Sequence, residues 1–494
     1  MFANYFSTQM HLCIFRKPIF NLAGCSNCFY LRDLFLSLSL VSLLCFPGIS
    51  ISDTVANSKG IELGKSDPKL GYTTDCKIVD PFPANLIDSS GLNKRHGSIR
   101  FKARDGNTIT AFTYRASQFD GNGPILFVMH GSGRTAESYL NAFKPIAERH
   151  SALAVAPMFE KNSYPTSESY NLGVGVKGTP SDGVYQPKAW RASADYLYSE
   201  IEHLFEALKS KLNSPQCSYR IFGHSAGGQF THRLLTFRPD ARVFRAVAAN
   251  SGWYTLPTNG NGNGNGSDRN YFMPYGLQGS PLTSDDLKQT FSRELVVLLG
   301  SEDTLTAKED SNVRGSTKAE AQGPNRLQRG KSYYNHASSQ AATLGSKFAW
   351  LTDTVLGAGH DKDEVAASAG WYLFRKAGER PCTPSTAAEA KGLVINEILA
   401  DPPKGSAGDA NNDGTRDAND DEFVELVNTG STEICLTGWT LGDAAEPERH
   451  RFPISTRLAP GAALVVFGDG LPTGNFGGAL VQLAAFGGKI NMSN

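Results

Sequence analysis

The chain has 494 residues, with 48 Lys+Arg against 48 Asp+Glu and a formal net charge of zero. That balance excludes a polycationic nucleic-acid binder and an acidic-tail protein, and 40% hydrophobic against 19% charged residues excludes a disordered chain. The length allows about two to four domains, while 50 Gly and 25 Pro favour turns, strands and loops over a helical bundle.

Residues 34–46 (LFLSLSLVSLLCF) form an uncharged apolar run of 13, short of the roughly 18 that a spanning helix needs. Arg16, Lys17 and Arg32 precede it, and Gly48 and Ser50 stand at −3 and −1 of a cut after Ser50. A basic region, a short apolar region and a small-x-small site together read as a secretory leader over 1–50. The expectation is an exported protein, secreted, periplasmic or on the cell surface, with no transmembrane span in the mature chain. Past the leader remain Cys76, Cys217, Cys382 and Cys435, enough for one or two disulfides in an oxidising compartment. Cys76 with Cys382 is the pair expected to staple the large domain, because the two bracket it.

A polar extension (51–95) leads into a predicted hairpin, 97–103 with 108–114, around Asp105-Gly106. Apolar runs then alternate with helical patterns. Strands are predicted at 125–129, 153–158, 219–222, 246–249, 295–299 and 349–355. Helices are predicted at 137–148 (kinked or restarted at Pro145), at 189–212 and at 229–236. Buried strands without alternation, interleaved with helices, indicate an α/β domain over 96–376 with a mostly parallel sheet covered on both faces. The repeat at 259–266 (NGNGNGNG) reads as a surface loop. The excursion 304–331 is long for a plain connection and is expected to be a lid or substrate-binding insertion. A Pro/Ser/Ala-rich stretch at 377–392 reads as a linker. Beyond it, short strands at 393–399, 422–428, 439–441 and 462–467 predict an all-β sandwich over 393–494.

Gly223-His224-Ser225-Ala226-Gly227 follows a strand and opens a helix. A sharp strand-to-helix turn exposes a serine hydroxyl at a helix N-terminus, and glycines two residues to either side keep the neighbouring chain clear. A serine needs a base to take its proton and a group to orient the base. Asp303 lies past the strand at 295–299, and His360 lies in a Gly-rich loop past the strand at 349–355. Ser, acid and His in that order, each at a strand's carboxyl end, form a nucleophile–acid–base set. Met129-His130-Gly131-Ser132-Gly133 offers backbone N–H groups for a developing oxyanion, from Gly131 or Ser132, with Ala226 as the second donor. Taken singly, such residues are more often structural. Glu302 is the rival acid, Asp361 is expected to point away from His360, and His130 and His224 read as packing residues.

On HGSGR, GHSAGGQF and GAGHD, the large domain resembles the α/β-hydrolase superfamily, in the manner of secreted esterases of the polyhydroxybutyrate-depolymerase and feruloyl-esterase type. The resemblance implies ester hydrolysis through an acyl-enzyme, with an ester substrate and no metal or organic cofactor for catalysis. A peptidase or thioesterase would use the same three residues, and a surface-binding or adhesion protein carrying an inert hydrolase domain is the competing class.

The segments VINEI (394–398), DEFVELVN (421–428) and LTGWTL (436–441) resemble the lamin-tail domain, an immunoglobulin-like sandwich. That resemblance implies attachment or targeting to a surface or polymer ligand. The last residues, 487–494, lack the further alternating strand of that family, so either a truncated chain or a shifted reading frame, and with it an incomplete sandwich, is expected. Between its first two strands, 409–420 fits D-x-N-x-D-G, with Asp409, Asn411, Asp413, Thr415, Asp417 and Asp420 as oxygen ligands for a structural calcium ion. Asp at loop position 12, Arg416 at position 8 and the lack of flanking helices depart from the calcium-loop pattern.

Overall fold

The computed structural model describes residues 13–15, 83–173, 190–258, 272–443 and 446–484. Within the stretch read as a leader, only β1 (Cys13–Phe15) is described; the rest of that reading, Cys76, the 259–266 loop and the end of the chain at 487–494 lie outside the described residues.

The large domain is built on one sheet. Its strands are β2 (Asn85–Asp88), β3 (His96–Lys102), β4 (Thr108–Arg115), β5 (Ile125–Met129), β6 (Leu153–Met158), β7 (Tyr219–His224), β8 (Val243–Ala249), β9 (Leu295–Gly300) and β10 (Leu351–Val355). They lie in the order β10-β9-β8-β7-β5-β6-β4-β3-β2. Pairing is parallel from β10 to β6 and antiparallel from β6 to β2. The hairpin is where the alternation places it, and the extension supplies the edge strand β2.

Both faces of the parallel part are buried from β9 to β6, which is why most of these strands read as apolar runs, while the edge strand β10 (LTDTV) is only partly buried. Leu126 and Val128 of β5 join one apolar cluster with Phe143 and Val365. Phe127 and Met129 join the opposite one with Phe205, Phe230 and Tyr333. The helices are α1 (Ala136–Arg149), α2 (Ser199–Leu212), α3 (Ala226–Phe237), α4 (Ser284–Phe291), α5 (Thr317–Glu320), α6 (Arg326–Thr343) and α7 (Lys362–Phe374).

Two expectations are corrected here. Helix α1 runs unbroken through Pro145; the one lost N–H bond falls at the exposed Asn141. Helix α2 starts at Ser199 rather than 189. Tyr196 and Tyr198 are both buried two positions apart, and Tyr196 is extended, so an extended approach to the helix mimicked helical spacing. Within the excursion 304–331, buried Arg329 donates to the carbonyls of Gly323 (2.7 Å) and Arg314 (2.8 Å) in the same segment and of Gly252 (2.9 Å) outside it, so this end of the excursion is tied to the core.

The tail contains β11 (Leu393–Leu399), β12 (Phe423–Asn428), β13 (Ile434–Cys435), β14 (Thr440–Gly442), β15 (His450–Arg451), β16 (Arg457–Leu458), β17 (Ala463–Phe467) and β18 (Leu480–Leu483). The order β11-β12-β17-β18 forms its main sheet, with small sheets β1-β14-β15 and β13-β16. Val424, Leu426, Leu436, Trp439, Leu464 and Val466 fill its core. Cys382 is bonded to Cys435, not to Cys76, and Cys217 is disulfide-bonded as well. Bracketing a domain in sequence did not bring two sulfurs together; a bridge needs adjacent Cα atoms, here 6.1 Å apart. The stretch read as a linker is correspondingly pinned. Ser385 exchanges hydrogen bonds with Cys435 (2.9 and 3.0 Å) and accepts from Trp439 Nε1 at 3.1 Å.

Candidate active site

Strand register brings the loops together before any side chain is considered. Met129 pairs with Gly223, so the loop after β5 lies beside the turn after β7, and Val355 pairs with Gly300, so the loops after β9 and β10 adjoin. Ser225 has φ 58° and ψ −118°, a backbone strained for a residue with a Cβ. Its N–H donates to the Ala249 carbonyl at 3.0 Å, and α3 starts at the next residue. A Cβ on Gly223 would run into the Gly227 carbonyl, and one on Gly227 into the Met129 carbonyl. The two glycines therefore permit the close crossing of strand, turn and helix.

The Ser225 hydroxyl is 3.1 Å from His360 Nε2, and His360 Nδ1 is 2.8 Å from Asp303 Oδ2. With the Nδ1 proton turned to the carboxylate, Nε2 is left to accept from the serine. Asp303 is 2% exposed, whereas Glu302 is exposed and Asp361 caps α7, accepting from the Asp363 amide at 2.8 Å. The structure thus brings together Ser225, His360 and Asp303 and leaves both rival acids apart.

Sequence reasoning missed three supports. Arg326 Nη1 donates to Asp303 Oδ1 at 3.1 Å and Nη2 to Asp310 at 3.3 Å. Asn250, buried and at φ 44°, accepts from the Gly300 amide at 2.7 Å and donates to the Gly359 carbonyl at 2.8 Å, coupling three strand ends. Glu364 accepts from the Gly359 amide at 2.5 Å. No motif spacing announces any of them, since each meets its partner only through the folded sheet.

His130 and His224 do what their neighbours dictate. Phe159 N–H donates to His130 Nε2 at 3.1 Å, which leaves its Nδ1 to donate to the Gly131 carbonyl at 2.9 Å. The ring stacks on Tyr170, and burial holds its pKa down at about 3. His224, also driven well below its ordinary value by burial and then by the nearby His360, faces Tyr139 and lies 4.7 Å from the His360 ring, centroid to centroid. The Gly131 amide faces the Tyr139 hydroxyl, so Gly131 shapes the turn. Ser132, exposed in this loop, and Ala226, at the first turn of α3, keep amides for another acceptor.

Two solved structures are similar to the large domain. Poly(aspartic acid) hydrolase-1 from Sphingomonas sp. KT-1 is 32% identical, with a TM-score of 0.50, over 57% of this chain and 98% of that one. The poly(3-hydroxybutyrate) depolymerase LpqC from Bordetella parapertussis is 29% identical, with a TM-score of 0.51, over 61% and 96%. The chain belongs to the α/β-hydrolase superfamily. Its large domain is a hydrolase domain of the esterase and depolymerase kind. The Lamin Tail Domain family matches residues 386–489, so the tail of this hydrolase begins inside the stretch read as a linker. No curated protein matches the chain. Among the described residues, no helix is long and apolar enough to cross a membrane.

In the tail loop, the side-chain oxygens face the loop's own amides. Asp409 accepts from Asp413 and Gly414 (both 3.1 Å), Asn411 from Asp413 (2.9 Å), Asp413 from Thr415 (2.9 Å) and Asp417 from Asn419 (2.8 Å). Among the described residues, no group of three or more His, Cys, Asp or Glu side chains is arranged to hold a metal ion.

Proposed function

We propose that this hydrolase is exported and cleaves carboxylic esters through an acyl-enzyme, with Ser225 as nucleophile, His360 as general base and acid, and Asp303 as the group that orients the imidazole. The observation that carries this reading is His360, hydrogen-bonded to Ser225 at 3.1 Å and to Asp303 at 2.8 Å. Ser225 Oγ adds to the acyl carbon as its proton passes to His360 Nε2. The oxyanion forms beside the Ser132 and Ala226 amides, each such donor contributing about 3 kcal/mol to the transition state. The imidazolium, steadied by Asp303, returns the proton to the departing alcohol; water, deprotonated by His360, then releases the acid.

Ser225→Ala abolishes turnover of p-nitrophenyl esters and labelling by a fluorophosphonate on this reading, with His360→Ala following it. Undiminished hydrolysis by the serine variant refutes it, and an unlabelled wild-type chain favours a binding protein with an inert hydrolase domain. An amide substrate is the second reading, supported by the 32% identical relative, a poly(aspartic acid) hydrolase. A panel of soluble esters, polyester film and poly(aspartic acid) separates the two.

For the tail we propose attachment to a surface or polymer, and a structural calcium ion held by Asp409, Asn411, Asp413, Thr415, Asp417 and Asp420. Support for calcium lies in crowded negative charge. Burial, then Asp469, Asp417, Asp413 and Asp421, push the Asp420 carboxyl up to about 6, and a divalent cation offsets that repulsion. Binding would require the side chains to turn from the loop amides toward the ion.

A further inference from the structure

The two solved hydrolases are covered almost whole by 57–61% of this chain, so the tail is an addition to a complete hydrolase domain. Among its contacts are two on the turn that carries His360. That turn leaves β10 and runs through Leu356, Gly357, Ala358 and Gly359. From the hydrolase side, Ser301 Oγ accepts the Gly357 amide at 2.7 Å and Glu364 accepts the Gly359 amide. From the tail side, the Arg451 guanidinium lies flat against Gly357: a Cβ on that glycine would overlap Cζ, Nη2 and Nε. Gly357 also has φ +72°, so the position is closed to side chains twice over. Leu356 meets Gly438 of the tail, where a Cβ would stand 2.7 Å from its Cδ1.

Arg451 is held for this contact. It is 6% exposed, pairs with Glu448 three residues earlier, and extends its charge to Glu364, where it opposes the upward push of burial on that carboxyl. Nearby, Ile454 N–H donates to Ser368 Oγ on α7 at 3.1 Å, and the Ile454 side chain joins the apolar cluster of Val365, Ala366 and Ala369. The seam is therefore apolar, hydrogen-bonded and charged at once.

We infer that Arg451 of the tail is a positioning residue for His360, holding the turn 356–360 against the hydrolase core. Its effect on rate rests on the proposed role of His360; its effect on the turn does not. The test uses the full chain with Arg451→Ala, Arg451→Lys and, as a tail control away from the turn, Arg457→Ala. Two quantities are read: hydrogen–deuterium exchange of the peptide spanning 356–361, and kcat and KM on an ester together with the fluorophosphonate labelling rate. Arg451→Ala speeds exchange of that peptide and lowers kcat and labelling about tenfold with KM unchanged, as expected for a displaced base. Arg451→Lys, keeping charge without the flat guanidinium, falls between, and Arg457→Ala matches the wild type. Wild-type exchange in both Arg451 variants overturns the inference. If the wild-type chain neither turns over esters nor takes the label, the catalytic reading fails, and the exchange arm alone still decides whether Arg451 holds the turn. Should Arg451→Ala not fold, Arg451→Lys gives the same two measurements.

Discussion

Asp303 and Arg326 are paired inside the protein, 3.1 Å apart and each 2% exposed. One carboxylate oxygen faces the guanidinium and the other faces His360, so the acid is fixed in rotation as well as in charge.

Arg326→Gln breaks that pair while leaving the carboxylate buried. Removing one partner of a buried ion pair costs about 3–5 kcal/mol of stability, read as a lower urea midpoint. The loosened carboxylate also lowers kcat, by up to about 10²-fold for a displacement near 1 Å, with KM retained. Arg326→Lys keeps the charge and loses less of both. An Arg326→Gln enzyme with wild-type kcat would show that His360 alone orients Asp303.

Gly227→Ala tests the crossing beneath the serine. The added methyl has no space against the Met129 carbonyl, so α3 must shift away from the loop after β5. Overpacking of this kind costs about 1–3 kcal/mol, and the displaced helix start carries the Ala226 amide with it. The expected result is a lower thermal midpoint together with a labelling rate reduced more than stability alone explains.

Acid should destabilise the fold through imidazoles held neutral. Burial keeps His130 at about 3 and His450 at about 4, against about 6.5 in an unfolded chain. Between those values the unfolded chain binds the extra protons. The contribution is therefore fully present above about pH 6.5 and is lost as pH falls toward the folded values, by about 1.4 kcal/mol per unit for each group. Urea midpoints at pH 7.5 and pH 5 check this, and His130→Asn should flatten the difference.

Calcium should raise the thermal midpoint of the full chain, and the gain should fade below about pH 6, where protons occupy Asp420. Asp413→Asn should remove it. A midpoint indifferent to calcium at pH 7.5 counts against the ion.

Much of the hydrolase was legible because its physics is local to each strand. The apolar runs at 125–129 and 153–158 are β5 and β6 to the residue, and the elbow glycines announce a turn that only they tolerate. Chain order then selected Asp303 and His360 from many acids and histidines. What stayed hidden depends on approach between distant segments. Asn250 and Arg326 occupy unremarkable positions in sequence, Tyr196 imitates a helix while extended, and Cys435 meets Cys382 across 53 residues, where Ser385 bonds to the Cys435 backbone. The seam at Arg451 joins two stretches that separate readings would assign to different domains.

The burial of Ile454 against α7 bears on how such a chain could have been assembled. A recombination event that exchanged this tail for another would uncover an oily patch on the helix directly following His360, and would take away the residue braced against Gly357. Tail and hydrolase are therefore expected to descend together, changing in step along their shared border, rather than to be traded as independent modules.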